Sequence, residues 1–338
     1  MSTVTTNEME VWSKEIDTYI EEEKGLMLTP AYRKLANVTK NSDLYNSDKT
    51  ISGFSPMEEV GEGGNALSDA PLDGYEARYY LKEFRKSVTF TSTMRETSRH
   101  GEVMEQSKSF ATAPEYTRNL EVMGILRNGW DTTITYGDSK QVISLSHARK
   151  DGGTAQGNTF DDGVQRPLSY DAVKRLEDVM GYTVSNSGNI LETGAEDRKK
   201  ILVTTFNNRL EAFKIADVAS GMEPDTAENN QNYFVKGANF DVLITKALSH
   251  NAAFLMGETS VARTSTSNYY DSMWFIVDPE LAKKYFKVME MPGYPETRTE
   301  IQVLNGNLIK VIDDKYKKGM SHWMWVYGSK GDNTTFAS

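Results

Sequence analysis

Four histidines, His100, His147, His250 and His322, are the side chains here whose ordinary pKa suits proton transfer near neutral pH. Ser146 beside His147, with Asp151 just downstream, is the nearest approach to a nucleophile, a base and a carboxylate in one segment. Such triads are assembled in space and not by sequence proximity, so the segment alone names no hydrolase. Asp161 and Asp162 beside Gly163, with Asp151 upstream, offer the oxygen ligands that calcium takes, but their spacing departs from the helix-loop-helix calcium pattern. Aspartate before glycine is first of all a turn former. Gly61, Gly63 and Ala66 match the spacing of a dinucleotide-binding turn. That turn works only between a buried strand and a helix N-terminus, whereas SPMEEV precedes it and LSDAPLDG follows. No phosphate loop ending in Gly-Lys-Ser or Gly-Lys-Thr and no pair of histidines flanking a glutamate on one helix face is found. The absence of cysteine excludes disulfides, zinc-thiolate sites and thiol nucleophiles. No catalytic, cofactor-binding or metal residue is assigned, and the chain reads as a non-enzyme.

Charge and length narrow the remaining classes. With 48 acidic against 38 basic residues the net charge is -10, so the molecule as a whole repels a phosphate backbone, and sequence-reading of DNA is disfavoured. Its 338 residues bury a substantial core without covalent staples. No window approaches the roughly 18 apolar residues of a membrane span. The start, MSTVTTNEMEVWSK, lacks a basic segment followed by an apolar one, so synthesis in the cytoplasm is expected. The 17 tyrosines and 5 tryptophans suit extensive protein contacts, and equally a Tyr-rich core.

The elements that would position these residues follow from periodicity. A helix is expected from Glu8 to Lys24, capped by Asn7 with Glu10 three residues on and stopped by Gly25. Met9, Trp12, Ile16 and Tyr19 form its narrow apolar stripe, and Glu15, Asp17, Glu21, Glu22 and Glu23 lie mostly off it. Such a helix must dock, on its own body or on a neighbour. Residues 41–75 are rich in Gly, Ser, Asn, Asp and Pro and supply no packed core. Tyr75, Ala77, Tyr79 and Leu81 then alternate, followed by Val88 and Phe90, which reads as an extended strand pair or β-arm. A two-stranded arm is marginal alone in water and needs a surface to lie on.

From Met94 to Trp130 helical spacing returns, with Val103, Ser107 and Phe110, then Tyr116, Leu120, Met123 and Leu126. Pro114 is expected to kink or break this run. The turn-rich tract 147–167 is taken as a domain boundary, and Ser169 opens a helix burying Val173, Leu176 and Met180 and ending at Gly181. Short strands at 201–204, 240–244 and 275–277 alternate with helices around Leu210 and Phe213 and after Asp278-Pro279. EIQVL, Asn305-Gly306 and NLIKVI form a hairpin, and HWMWVYG is a last strand. No fixed-period repeat is present.

Taken in order, these segments resemble a known family. ISLSHARKDGGTAQGNTFDDG followed by PLSYDAVKRLEDVM is similar to the strand, Ser-x-x-His-type turn, Gly-Gly-Thr tract and Leu-Ser-x-x-Ala helix of tailed-phage major capsid proteins. GFSPMEEVGEGGNALSDAPLDGYEARYYLKEFRKSVTFTSTMRE resembles the family's extended loop and return strand, and WFIVDP, the Asn-Gly hairpin and HWMWVYGSKGD its closing strands. The resemblance spans roughly residues 45–330 through soft motifs in the family's order. It implies an α+β chain of the Hong Kong-97-type capsid fold. An N-terminal arm would take residues 1–45, an extended loop 46–92, a peripheral domain with a spine helix 93–165 and 295–338, and an axial domain 166–294.

By the same resemblance the chain is a major capsid protein of the virion, assembled in the host cytoplasm into pentamers and hexamers of an icosahedral head around double-stranded DNA. Its partners would be itself, scaffolding and portal proteins and decoration proteins, with no membrane and no cofactor. Some members crosslink Lys to Asn beside a Glu, and Lys49 and Lys82 lie in the corresponding region, with no partner assigned. A cargo-enclosing, encapsulin-like shell shares the implied fold. An α/β enzyme built on the alternating middle of the chain is the rival of a different class, and a deep apolar pocket holding His147 or His250 beside a carboxylate would favour it. A tail-tube or decoration protein is a further virion alternative.

Overall fold

A computed structural model describes residues 6–26, 29–51, 54, 57, 59–65, 68, 72–97, 100–189, 199–216, 240–258, 269–302 and 306–336. In chain order the elements are α1 (Thr6–Leu26), α2 (Tyr32–Leu35), β1 (Asn37–Lys40), β2 (Tyr45–Ile51), β3 (Asp73–Tyr80), β4 (Lys82–Phe90), α3 (Ser92–Glu96) and α4 (His100–Arg127). There follow α5 (Tyr170–Gly181), β5 (Lys200–Thr204), α6 (Arg209–Ala216), β6 (Phe240–Ile244), α7 (His250–Leu255), α8 (Tyr269–Ser272) and β7 (Trp274–Val277). The last are α9 (Pro279–Tyr285), β8 (Phe286–Glu290), β9 (Glu296–Gln302), β10 (Asn307–Met320) and β11 (Val326–Ser329).

β10 is the axis of a five-stranded sheet. Along one edge β4 runs antiparallel from Leu308↔Phe90 to Tyr316↔Lys82. The other edge is shared: β9 pairs with Asn307 through Asp313, and β8 with Tyr316 through Met320. β1 then lies parallel on β8. At about 3.3 Å per residue a 14-residue strand spans roughly 45 Å, and at about 1.5 Å per residue the 28-residue α4 spans roughly 42 Å. The helix packs along a strand of matching length.

The second sheet, ordered β11-β7-β5-β6, has β5 and β6 parallel and the other pairs antiparallel. All four residues of β7 and of β11 are buried, as continuous apolar runs in a covered sheet should be. One large core joins the C-terminal half of α4, α5 and this sheet to Phe286, Val288, Tyr316 and Met320 of the first. A smaller core lies under α1, where Trp12, Ile16 and Ile20 meet Phe90, Val103, Phe110, Leu308 and Ile312. The Trp12 and Phe90 rings meet edge to face at 6.3 Å.

Local signals account for many boundaries. Ser169 caps α5 by accepting the Ala172 N–H, and Val173, Leu176 and Met180 are buried. Asp278 caps α9 by accepting from Glu280 and Leu281, with Pro279 in the first turn. The hairpin of β9 and β10 forms, and Gly306 has φ +65°, where an L side chain is strained. α1 begins at Thr6, ahead of the expected cap, and continues through Gly25. Its buried stripe ends on Ile20, while Tyr19 is half-buried and donates to Glu15. The Met9 side chain and Asn305 fall outside the described atoms.

Two expectations are corrected. Pro114 does not break the helix, since α4 is continuous from His100 to Arg127. Packing against α1 on one side of the proline and the large core on the other outweighs one lost hydrogen bond. The strands over 75–90 do not pair with each other. β3 pairs with β2 as a two-stranded ribbon, and β4 turns away into the sheet of β10.

Candidate functional site

The β2–β3 ribbon has almost no core of its own. Its register runs from Tyr45↔Tyr80 to Ile51↔Asp73, with a bulge between Lys49 and Ile51. Of its large side chains only Tyr79 is fully buried, packed with Ala77 and Met289. The ring sits in a notch cut by a glycine, for a Cβ on Gly319 would fall 2.6 Å from Tyr79 Cδ1. Lysines from the sheet tie down the same end. Lys287 Nζ reaches Asp48 at 2.6 Å, and Lys317 Nζ donates to Asp43 O at 2.6 Å, to Asn41 Oδ1 at 2.9 Å and to Asn46 Oδ1. Burial draws the Lys317 pKa down, with the Asp43 charge opposing. Higher on the ribbon, Tyr75 Oη donates to Ala148 O at 3.3 Å, and Lys150 Nζ lies 4.1 Å over the Tyr75 ring.

The ribbon and its connecting segment present outward charged residues, among them Lys49, Asp73, Glu76 and Arg78, interspersed with large apolar ones. Leu44, Tyr45, Ile51, Phe54, Met57, Val60, Leu72 and Tyr80 are all exposed, a concentration that a free monomer rarely shows. α1 presents a different character. With its apolar stripe spent on α4 and the sheet, its outward face carries Glu10, Glu15, Glu21 and Glu22 against Lys14.

The residues singled out for chemistry are placed as follows. His147 is buried, its Nδ1 2.5 Å from Asp138, its Nε2 3.3 Å from Asn158 Oδ1 and its ring stacked on Trp323 at 4.4 Å. Asn158 is itself fixed, donating to Val142 O and Val326 O and accepting from Ser144 N. A histidine beside a carboxylate is therefore present, but both ring nitrogens face oxygen partners, and the neighbours in sequence, Ser146 and Asp151, are not among them. Asp151 pairs with Arg149 and accepts from Gly153 N, and that backbone donor leads the causes that lower its pKa.

His322 is buried between His147 and Tyr285. Its Nδ1 lies 3.3 Å from Met324 N and its Nε2 3.1 Å from Asn186 Nδ2. Burial, then the His147 charge, lower its pKa to about 4. His250 is buried beside Tyr270, and the side chain of His100 is outside the described atoms.

Asp162, expected as a calcium ligand or a turn former, is engaged by Arg166 and, at 3.1 Å, by Arg175. The Arg166 hydrogen bond leads the causes that hold its pKa well below the carboxylate range. Among the described residues no group of three or more His, Asp or Glu is arranged to hold a metal ion. Gly61 and Gly63 lie in an exposed turn with no strand before it or helix after it among the described residues, and Ala66 is not described. Lys49 pairs with Asp73 at 2.5 Å and Lys82 with Glu121 at 3.5 Å.

No protein-family model matches the sequence, and no curated protein does. Solved structures do. The capsid of an empty GTA particle is 13% identical, with a TM-score of 0.53 over 89% of this chain and 90% of that one. The mature capsid of bacteriophage PhiM1 is 12% identical, with a TM-score of 0.51 over 89% and 87%. The capsid of cyanophage P-SCSP1u is 10% identical, with a TM-score of 0.50 over 89% and 87%. The chain has the Hong Kong-97-type capsid fold.

In this Hong Kong-97-type subunit the charges along the second half of β10 are what sequence reading passed over. DDKYKKGM continues the strand although it looks like a solvated tail. Asp313 is held by Arg85 and Arg298, Asp314 by Arg118, Lys315 by Glu83 at 3.1 Å, and Lys318 by Glu121. Arg118, buried in α4, also reaches Glu290 at 2.7 Å, and Arg33 joins Glu290 to Glu115. Burial alone would lower the Arg118 pKa, but the Asp314 hydrogen bonds and charge, with Glu290 and Glu115, drive it up. At the far end of α4, Arg127 grips Glu258 and donates to Ala247 O, joining the helix to the second sheet. In the Hong Kong-97-type fold seen here, α4 is pinned to its sheet by ion pairs as much as by apolar contact.

Proposed function

We propose that this chain is the major capsid protein of a tailed bacterial virus, assembling with copies of itself into the icosahedral head around double-stranded DNA. The observation that carries the reading is the ribbon, a two-stranded arm whose outward apolar residues are uncovered among the described residues. The capsid fold and the capsid descriptions of its structural neighbours support the same reading. Pentamers and hexamers supply several neighbours to each copy. Contacts of a standard size, about 1,600 Å², give modest pairwise affinity once association entropy is subtracted. A closed shell multiplies it. The virion is the location, and scaffolding, portal and decoration proteins are the further partners.

The division into an arm at 1–45, an extended loop at 46–92, a peripheral domain at 93–165 and 295–338 and an axial domain at 166–294 belongs to this proposal. The lone ribbon and the two separate sheets support it. At a net charge of -10 the subunit holds DNA by confinement more than by attraction. The role is structural and not catalytic: the buried pair of His147 and Asp138 is closed over by Trp323 and Asn158.

Negative-stain electron microscopy of the purified chain, fractionated by sedimentation with and without its scaffold, tests the reading. Closed shells, or rings of five and six that close with scaffold, are expected. A monomer or dimer that persists at high concentration with scaffold present overturns it.

A further inference from the structure

The far end of the ribbon rests on its own subunit, on two stretches of backbone that are hydrogen-bonded to each other. On the first, Tyr75 Oη donates to Ala148 O and Lys150 lies over the Tyr75 ring. Gly137 admits the strand so closely that a Cβ there would fall 3.1 Å from Tyr75 Cβ and 3.3 Å from Glu76 O. On the second, the turn 185–189, Asn189 Nδ2 donates to Phe54 O at 2.7 Å. The Asp151 N–H joins the two by donating to Asn186 O at 3.2 Å, and the Gln156 side chain adds bonds to Val184 N and O at 2.8 Å and 3.1 Å.

His322 touches this rest from inside. The Met324 N–H faces its Nδ1 at 3.3 Å, and the Asn186 side-chain nitrogen faces its Nε2 at 3.1 Å. An imidazolium donates from both nitrogens and accepts at neither. A proton added to the seated ring therefore sets one N–H against the Met324 N–H, at a site too buried to hydrate the new charge. The groups around the ring come from three other elements. His147, on the segment that carries Ala148, shares the Trp323 ring with it; α9 contributes Lys284 and Tyr285; and Asp138 is already engaged by His147 at 2.5 Å. The His147 and Lys284 charges oppose protonation and Asp138 favours it.

We propose that protonation of His322 releases the far end of the ribbon: the ring withdraws from Asn186, the turn 185–189 parts from Asp151, and Tyr75 and Phe54 lose the backbone they rest on, while Tyr79 keeps the foot in place. The seated ring titrates at about 4, chiefly because it is buried, and a ring freed to solvent near 6.5. The released state thus binds the extra proton between those values, so the rest is secure above pH 6.5 and release grows as pH falls toward 4. This switch belongs to the single subunit and does not depend on the capsid reading.

Amide hydrogen exchange of the unassembled chain, corrected for the intrinsic effect of pH, tests it. From pH 6.5 to pH 4, protection of residues 48–51 and 73–76 is expected to fall about tenfold or more, while residues 78–80 and strands β8 and β10 stay within about threefold. In His322→Asn, whose side chain does not titrate, the fall is expected to vanish. In the wild type its midpoint is expected to coincide with the titration of the His322 ring followed by NMR, a comparison that stands even where the variant does not fold. Ribbon protection that is unchanged at pH 4 overturns the proposal, and so does the same fall in His322→Asn. A midpoint apart from the ring's own titration, or loss of protection everywhere at once, overturns it too.

Discussion

Replacing Tyr79 by Ala should free the ribbon and leave the rest of the subunit folded. The ring is 1% exposed in a small cluster with Ala77 and Met289, apart from both larger cores. Burial of an aromatic removes roughly 150–250 Å² from water, and at about 25 cal/mol per Å² the lower figure gives ~4 kcal/mol. The hydroxyl, buried beside Asp48 and Ser321 without a well-formed hydrogen bond, offsets about 1–3 kcal/mol of this, leaving ~2 kcal/mol in favour of the seated ribbon. Since each 1.4 kcal/mol is a factor of ten, amide hydrogen exchange in Tyr45–Ile51 and Asp73–Tyr80 should accelerate roughly 30-fold. Protection in β8, β10 and α4 should stay within a few-fold. Tyr79→Phe, which removes only the orphan hydroxyl, should protect the ribbon as well as wild type or better. Ribbon exchange within threefold of wild type in the alanine variant would refute the reasoning, as would an equal loss of protection everywhere.

The remaining predictions concern the subunit's stability. Arg118→Met strands Asp314 without its buried cation and should cost about 3–5 kcal/mol in urea unfolding. His322 is neutral when folded, with a pKa of about 4 against an ordinary value near 6.5, so the unfolded chain binds the extra proton between those values. Its contribution is fully present above pH 6.5 and is lost as pH falls toward 4, by about 3 kcal/mol in all. The charges acting there are His147 and Lys284, which lower the pKa, and Asp138, which raises it. His322→Asn, which keeps an acceptor for Met324 N–H, should flatten that part of the urea-midpoint profile. Trp12→Ala empties the contact with Phe90 and should cost about 3–5 kcal/mol, measured as loss of α1 helicity and protection.

Elements whose signal is local were legible in the sequence. Ser169, Asp278-Pro279 and Gly306 state their turn or cap in two or three residues, and β7 declares itself by an unbroken apolar run. What failed depended on partners far away in the chain. The second half of β10 is a strand because Arg85, Arg118, Arg298, Glu83 and Glu121 arrive from three other elements to match its charges. Pro114 stays helical because two cores hold α4 on either side of it. His147 finds Asp138 upstream and not Asp151 downstream, since the chain folds back through Asn158. The ribbon as an element without a core was legible from composition, but its seat on Gly319 was not, because a glycine in a strand names no partner.

That seat has a mechanical consequence. One ring in a glycine notch, two lysine stems and, higher up, Tyr75 on Ala148 O hold the ribbon at separate points along its length. These contacts are side-chain contacts, so the ribbon can shift on them while the pairing of both sheets is kept.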